Sequence, residues 1–560
     1  MFLLASVLLM NGCKEDDPID LTGASPSITL TNTAASGIPG NTVISTVTIN
    51  APNGLNNLIV YKDGSLFETV TFNYEKTASY EFSYNIESTQ VAGTVINFSF
   101  EAIDSLNRKS DQEIFTVTVL ELSEKEIVQV SGELSANTTW TSDKIWRLNG
   151  LVKVMDGATL NIEPGTLIIG ANDSKGTLLI NRGGKIIADG TANTPIVFTS
   201  ESEAGNRVPG DWGGIVICGR APNNQGASVE LEGDYGALYG GNVSNDNSGV
   251  LRYVRIEFAG NAIQANKETN SLTLASVGNA TVIEHVQCSY GLDDSFEFFG
   301  GTVNAKYLVS YRTKDDDFDM DFGHNGFIQF AIAIRDANLG DDSYSNGFEI
   351  DNDGAGTVST LYTQTVFSNV SIIGPKYTAD NVVLPHLQNA AQFRKNSMPC
   401  LYNSFLAGFP TGLFMDDTKR GVSQHALNEE LQIRNVILAG VENWGNNNWG
   451  GSTNNSNSPL KQVNANVAPG FEVNTWYNTS TYNNQILNTW QDAGIDQSLY
   501  TTLNPKVTPN TGSILLTAAR WNNTPKAGSF FEKVEFAGAI GTVDWTLGWC
   551  QWDPSVVVYY

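Results

Sequence analysis

Between positions 293 and 321 the chain concentrates acid in a repeating pattern. Asp293 and Asp315, Asp294 and Asp316, and Glu297 and Asp319 each stand 22 residues apart, with Asp317 and Asp321 beside them. Phe296 and Phe318 keep the same spacing, and a third acidic run follows in Glu349-Ile-Asp351-Asn-Asp353-Gly354. If 22 residues make one turn of a solenoid, the paired carboxylates stack at the ~4.8 Å strand spacing. They then repel by roughly 3 kcal/mol per pair at an effective dielectric of 20. Such a stack calls for protons, cationic side chains or a bound cation. Lys306, Arg312, Lys314, Arg335 and, from a later turn, Arg394 are the nearby bases, fewer than the acids. A rigid all-oxygen site suits calcium. The expected ligands are Asp293, Asp294, Asp315, Asp316 and Asp317, with Glu297 and Asp319 next. The alternative is a solvated acidic face whose aspartates only make turns. Strand alternation directs the two phenylalanines inward and Glu297, Asp317, Asp319 and Asp321 outward. The cluster is not an EF-hand: Gly323 comes one place late after Asp317, and Thr360 stands where the second run would need its bidentate glutamate.

A second candidate surface is aromatic. Trp444 and Trp449 sit in an asparagine- and glycine-rich loop too polar for a core, and Tyr235 and Tyr239 sit in the insertion from Ala221 to Gly249. Rings on long loops can stack on sugars, or tuck back over the scaffold. The histidines His285, His324, His386 and His425 show no metal-ligand spacing. Cys218, Cys288, Cys400 and Cys550 are far apart and flanked by apolar residues, so four buried thiols and two disulfides both remain open.

Something must hold the acids in register, and the sequence supplies a repeat. Arg252-Tyr-Val-Arg-Ile, Glu284-His-Val-Gln-Cys, Lys306-Tyr-Leu-Val-Ser, Gln329-Phe-Ala-Ile-Ala, Ser368-Asn-Val-Ser-Ile, Tyr402-Asn-Ser-Phe-Leu and Arg434-Asn-Val-Ile-Leu align. Their centres are Val254, Val286, Leu308, Ala331, Val370, Ser404 and Val436. A base period near 22 with insertions is one coil of a parallel β-helix plus outward loops. Asn369, Asn403 and Asn435 share one position, which predicts a hydrogen-bonded amide ladder. Ahead of the repeat, period-two alternation (Ile96, Phe98, Phe100, Ala102 against Asn97, Ser99, Glu101) and the Lys62-Asp63-Gly64 turn predict about seven short strands. The predicted organisation is all-β: an N-terminal Ig-like β-sandwich over residues 26–122 and a right-handed parallel β-helix over 127–560. The aromatic residues 530–560 are expected to cap its last coil.

The chain has 560 residues, 59 acidic against 32 basic, and a net charge of -27. That excludes nucleic-acid binding through a basic surface. Beyond the N-terminus no apolar run is long enough for a membrane helix. Residues 1–12 read as a signal whose apolar stretch Phe2–Met10 ends in Asn11-Gly12-Cys13, which resembles a bacterial lipoprotein signal cut before an acylated Cys13. It lacks a leading basic residue and carries Met10 where leucine is usual. Lys14-Glu15-Asp16-Asp17 behind it resembles a surface-export signal of Bacteroidota lipoproteins, on a tether over 13–25. The expected place is the outer membrane, lipid-anchored and facing the cell exterior.

Several stretches from Trp140 onward resemble one family, the β-helical surface lipoproteins of Bacteroidota. They are Leu160-Asn-Ile-Glu-Pro-Gly-Thr, Gly210-Asp-Trp-Gly-Gly, Leu251-Arg-Tyr-Val-Arg-Ile-Glu-Phe-Ala-Gly, Phe299-Gly-Gly-Thr-Val-Asn-Ala-Lys-Tyr and Gly538-Ala-Ile-Gly-Thr-Val-Asp-Trp-Thr-Leu-Gly-Trp. The front module likewise resembles the Ig-like spacers of bacterial surface proteins. These resemblances imply fold, not activity. The expected function is non-enzymatic: a β-helix face offered to a glycan, a surface protein or a transporter, stabilised by calcium. The alternative is a calcium-dependent polysaccharide lyase of the pectate-lyase type, with Arg312, Lys314 or Arg394 as base.

Overall fold

The computed structural model describes residues 24–121, 125–233, 235–261, 269–378, 381–419, 421–440, 458–463, 465–503 and 505–560. The chain divides into two compact units at 122/123.

In the first unit, alternation builds a two-sheet sandwich. Ser27–Leu30, Thr42–Asn50 and Thr77–Asn85 form one sheet; Ala34–Gly37, Glu113–Val119, Val95–Asp104, Leu55–Lys62 and Ser65–Thr71 form the other. Ile96, Phe98, Phe100 and Ala102 all face the core shared with Val47, Phe82 and Phe115. Asp63 and Gly64 both take positive φ (48° and 79°), the two-residue hairpin whose twist matches its strands.

The second unit is a parallel β-helix whose coils form one 27-stranded sheet, with Val229–Glu230 and Leu238–Tyr239 pairing apart from it as a small hairpin. Every coil in the middle has the same plan. A long strand runs through a bend and is followed by a short strand, as in Val282–Ser289 with Phe296–Phe299, and Asn304–Tyr311 with Phe318–Asp321. The repeat aligned in the sequence is the register itself: Val254 pairs with Val286, Val286 with Leu308, Leu308 with Ala331, and Ala331 with Val370. One position earlier, the bend demands a left-handed residue in each coil. Tyr253, His285, Tyr307, Phe330, Asn369, Asn403 and Asn435 all have φ between 49° and 59°. Asparagine suits that region; bulky residues pay for it, and here they recover energy by stacking. Tyr253 lies 4.3 Å from His285 and His285 4.3 Å from Tyr307, centroid to centroid. The predicted amide ladder is only partial. Asn435 donates to Asn403 at 3.0 Å, but Asn403 donates to Ser368 and Asn369 to the carbonyl of Phe536.

That last contact corrects the reading of the C-terminus. Residues 530–560 do not close the last coil; they run back along the flank as a strap. Asn435 and Asn403 hold Arg520, Asn369 holds Phe536, Gln329 clasps Glu532, Gln287 clasps Gln551, and Glu257 accepts from the Tyr559 hydroxyl. The strap covers a row of apolar side chains that point out of the coils, including Val309, Tyr311, Ile332, Ile334 and Ile373. Cys218, Cys288, Cys400 and Cys550 are separate buried thiols, so the disulfide alternative falls.

Candidate functional site

The acidic residues are assembled by two repeating features of consecutive coils. In the short strands, Phe296, Phe298, Phe318, Met320, Phe348 and Ile350 fill the core. Their neighbours therefore point outward. Glu297 pairs in register with Asp319, and Asp319 with Glu349, so three carboxylates stack one coil apart. Phe296 and Phe318 stack beneath them at 5.5 Å, as their spacing predicts. At the corner before each short strand, a side-chain oxygen receives the backbone N–H of the next coil. Asn270 Oδ1 accepts from Asp294, Asp294 Oδ1 from Asp316 at 2.7 Å, and Asp316 Oδ1 from Asn346. Asp294 and Asp316 are thus structural corner-posts as well as members of the cluster.

Asp294, Glu297 and Asp319 line a cleft of about 220 Å³ together with Asp293, Asp315, Asn270, Thr273 and Tyr235, and Asp316 and Glu349 lie next to Asp319. Burial is the largest influence on each, and neighbouring negative charge adds to it. Asp294, Glu297, Asp316 and Asp319 are pushed well above the ordinary carboxylate range. Asp315 rises to about 6, Glu349 to about 7 and Asp321 to about 8. Of the nearby bases only Arg394 reaches the stack, at Glu349, and the others make their ion pairs elsewhere. Lys306 bonds Glu532, Arg312 bonds Asp336, Lys314 bonds Asp341, and Arg394 holds Glu349 and Asp351 with help from Lys395.

Asp317 departs from the expected ligand set. It precedes the strand, so the alternation that begins at Phe318 does not govern it, and it turns inward to a fully buried pair with Arg335 at 3.3 Å. Ser310 also donates to it, and burial lifts its carboxyl to about 6.

The remaining acids bring oxygens within 4.8 Å of one another in three overlapping sets: Asp293, Asp294 and Asp315; Asp294, Glu297 and Asp319; Asp316, Asp319 and Glu349. Buried Asp315 Oδ1 and Asp319 Oδ1 have no hydrogen-bond partner. A buried acceptor without a donor is costly, and a hard divalent cation satisfies such oxygens directly. The donor set therefore fits calcium. Glu349 and Asn270 entered the site without a clear periodic signal. The insertion after Gly323 moves Glu349 to 30 residues beyond Asp319, and Asn270 precedes the acidic run by a whole coil.

Tyr235 and Tyr239 are not free platforms. They are 3% and 2% exposed, folded back with Leu231 and Phe299 over the coil flank, and Tyr239 stacks on Phe299 at 6.2 Å. Lys153 anchors this loop by donating to the Tyr235 carbonyl. The loop therefore acts as a wall of the cleft. Cys13, Trp444 and Trp449 lie outside the described residues.

A family described as a pectate-lyase-like β-helix domain matches residues 132–481. No curated protein matches the chain. Among solved structures, the catalytic unit of a thermostable GH87 α-1,3-glucanase from Streptomyces thermodiastaticus strain HF3-3 aligns with 78% of this chain and 88% of its own, at 10% identity and a TM-score of 0.24. Fibronectin(III)-like modules of CbhA from Clostridium thermocellum align with 17% of this chain and 96% of their own, at 17% identity and a TM-score of 0.14.

Proposed function

The chain belongs to the pectate-lyase-like β-helix family, and from that premise we propose that it is a calcium-stabilised glycan-binding protein of the cell surface. A lipid on Cys13 holds it to the outer membrane, facing outward. The observation that carries the reading is the pair of buried, unpartnered oxygens on Asp315 and Asp319 in a cleft where acids of successive coils converge. Calcium there would draw ligands from Asp293, Asp294, Asp315, Glu297 and Asp319, neutralise their repulsion and supply a Lewis-acidic contact for sugar oxygens. Calorimetric titration with calcium, followed by a glycan array with and without chelator, tests it. Calcium uptake with calcium-dependent glycan retention is expected; a protein that takes up no calcium overturns the metal. For the location, Cys13→Ala should release the protein from the membrane, and protease added to intact cells should remove the wild type. Protection until lysis would place it on the periplasmic side.

Family membership favours a second reading, a calcium-dependent polysaccharide lyase. Its base would come from Arg394, half-buried between Glu349 and Asp351, or from Arg312 or Lys314. Calcium-dependent release of ultraviolet-absorbing unsaturated products from anionic glycans would establish it in place of simple binding.

A further inference from the structure

The acidic cleft does not end at Tyr235. Leu231, Glu232 and Phe299 also border a second hollow of about 390 Å³, floored by Phe299, Phe322 and Tyr239 and rimmed by Gln225, Glu230 and Glu232. The two hollows make one groove along the coil flank. Seven carboxylates line it, and no lysine or arginine does so among the described residues.

Phe322 is the odd residue of this groove. It follows Asp321, which pairs with Phe299, which pairs with Ala275. The corresponding positions after those residues are Gly300 and Ser276, and all three take positive φ: 51° at Ser276, 64° at Gly300 and 52° at Phe322. The bend asks for a small residue, and at 300 a Cβ would also collide with Asn223. Phenylalanine is poorly suited to a left-handed bend, yet its ring is placed there, half-buried and 5.3 Å from Phe299.

We propose that the groove takes a neutral, hydroxyl-rich glycan, with one pyranose face against the open part of the Phe322 ring and its hydroxyls donating to the carboxylates of the adjoining cleft. This rests on the glycan-binding reading above and narrows its ligand. Aromatic rings contact the apolar face of a sugar, and a carboxylate is a strong acceptor for a hydroxyl. Acidic polymers fit badly. Each ring of a polyuronate adds a negative charge to a groove lined by seven carboxyl groups and no basic side chain, and bound calcium offsets only part of the resulting repulsion. Selection for a neutral chain also removes the carboxylate that a lyase needs beside its reacting carbon.

The test is affinity electrophoresis of the full chain in gels carrying neutral glucans, mannans or xylans, or polygalacturonate and alginate, each with calcium and with chelator. Retardation by a neutral polymer and not by the polyuronates is expected. Phe322→Gly should weaken that binding at least tenfold while leaving calcium uptake in place, and because glycine suits the bend part of the packing lost against Phe299 is offset. Phe322→Asn is the second variant if glycine disturbs the loop. Calcium-dependent retardation by polyuronates alone would overturn the neutral-ligand inference and leave the calcium–glycan reading standing. Retardation by a neutral polymer without any calcium uptake would do the reverse. No retardation by any polymer would overturn both.

Discussion

Asp319 shows what a single carboxylate does here. It stacks between Glu297 and Glu349, one of its buried oxygens has no partner, and its protonation is favoured well above the usual range. A carboxyl whose folded-state affinity for protons exceeds its unfolded value stabilises the fold at low pH and loses that contribution as pH rises through its folded value. For Asp315, Glu349 and Asp321 that loss runs from about 4 through about 6, 7 and 8. Calcium bound at the cleft would replace the protons, so the difference in melting temperature between calcium and chelator should be small at pH 5 and grow toward pH 8. Asp319→Asn should raise the melting temperature in chelator, because folding no longer has to protonate or bury this carboxylate, and weaken calcium binding about tenfold or more. If both forms melt alike at every pH, Asp319 carries no charge conflict. Asp319 was legible because it obeys the 22-residue spacing and strand alternation. Asp317 was not, since it sits in a corner, where the direction of a side chain follows the bend and not the alternation.

At the level of elements, the sequence declared its coils better than its strap. Coil register could be read directly because each coil repeats the same inward pattern, and an insertion can only leave outward. The strap has no repeat; it is an irregular segment matched to a surface made by successive earlier coils. Its signal was indirect. Long strands such as Phe327–Ile334 are apolar on both faces, and an outward apolar row must be covered. The grip is polar as well. Gln329, fully buried, donates to the Glu532 carbonyl at 2.7 Å and accepts from its N–H at 2.8 Å, and Gln287 does the same to Gln551 at 2.9 Å each way. Gln329→Ala removes both of these bonds to the strap, each worth about 0.5–1.5 kcal/mol. Limited proteolysis should then cut near 530 while the coils stay intact. Wild-type resistance in the variant would mean that apolar packing alone holds the strap.

The whole molecule allows the metal to be assigned to one unit without dissecting it. All the acids of the cleft belong to the unit beginning at 123, and all 11 tryptophans of the chain lie at or beyond Trp140. Tryptophan fluorescence therefore follows the β-helix, whereas calorimetry registers the sandwich too. A cation that binds only the folded state stabilises it by about 2.7 kcal/mol at a hundredfold excess over Kd. That is a shift of several degrees for a small domain, and a smaller one for a unit of this length. Chelator should lower the fluorescence melt and calcium should restore it more fully than magnesium, whose small octahedral shell is harder to build from stacked strands. Any calorimetric transition without a fluorescence counterpart should stay where it was. A chelator effect confined to that silent transition would move the metal to the sandwich. If neither transition moves, the acids are held by protons and by the neighbouring pairs of Arg394 and Arg335, and the cleft carries no calcium.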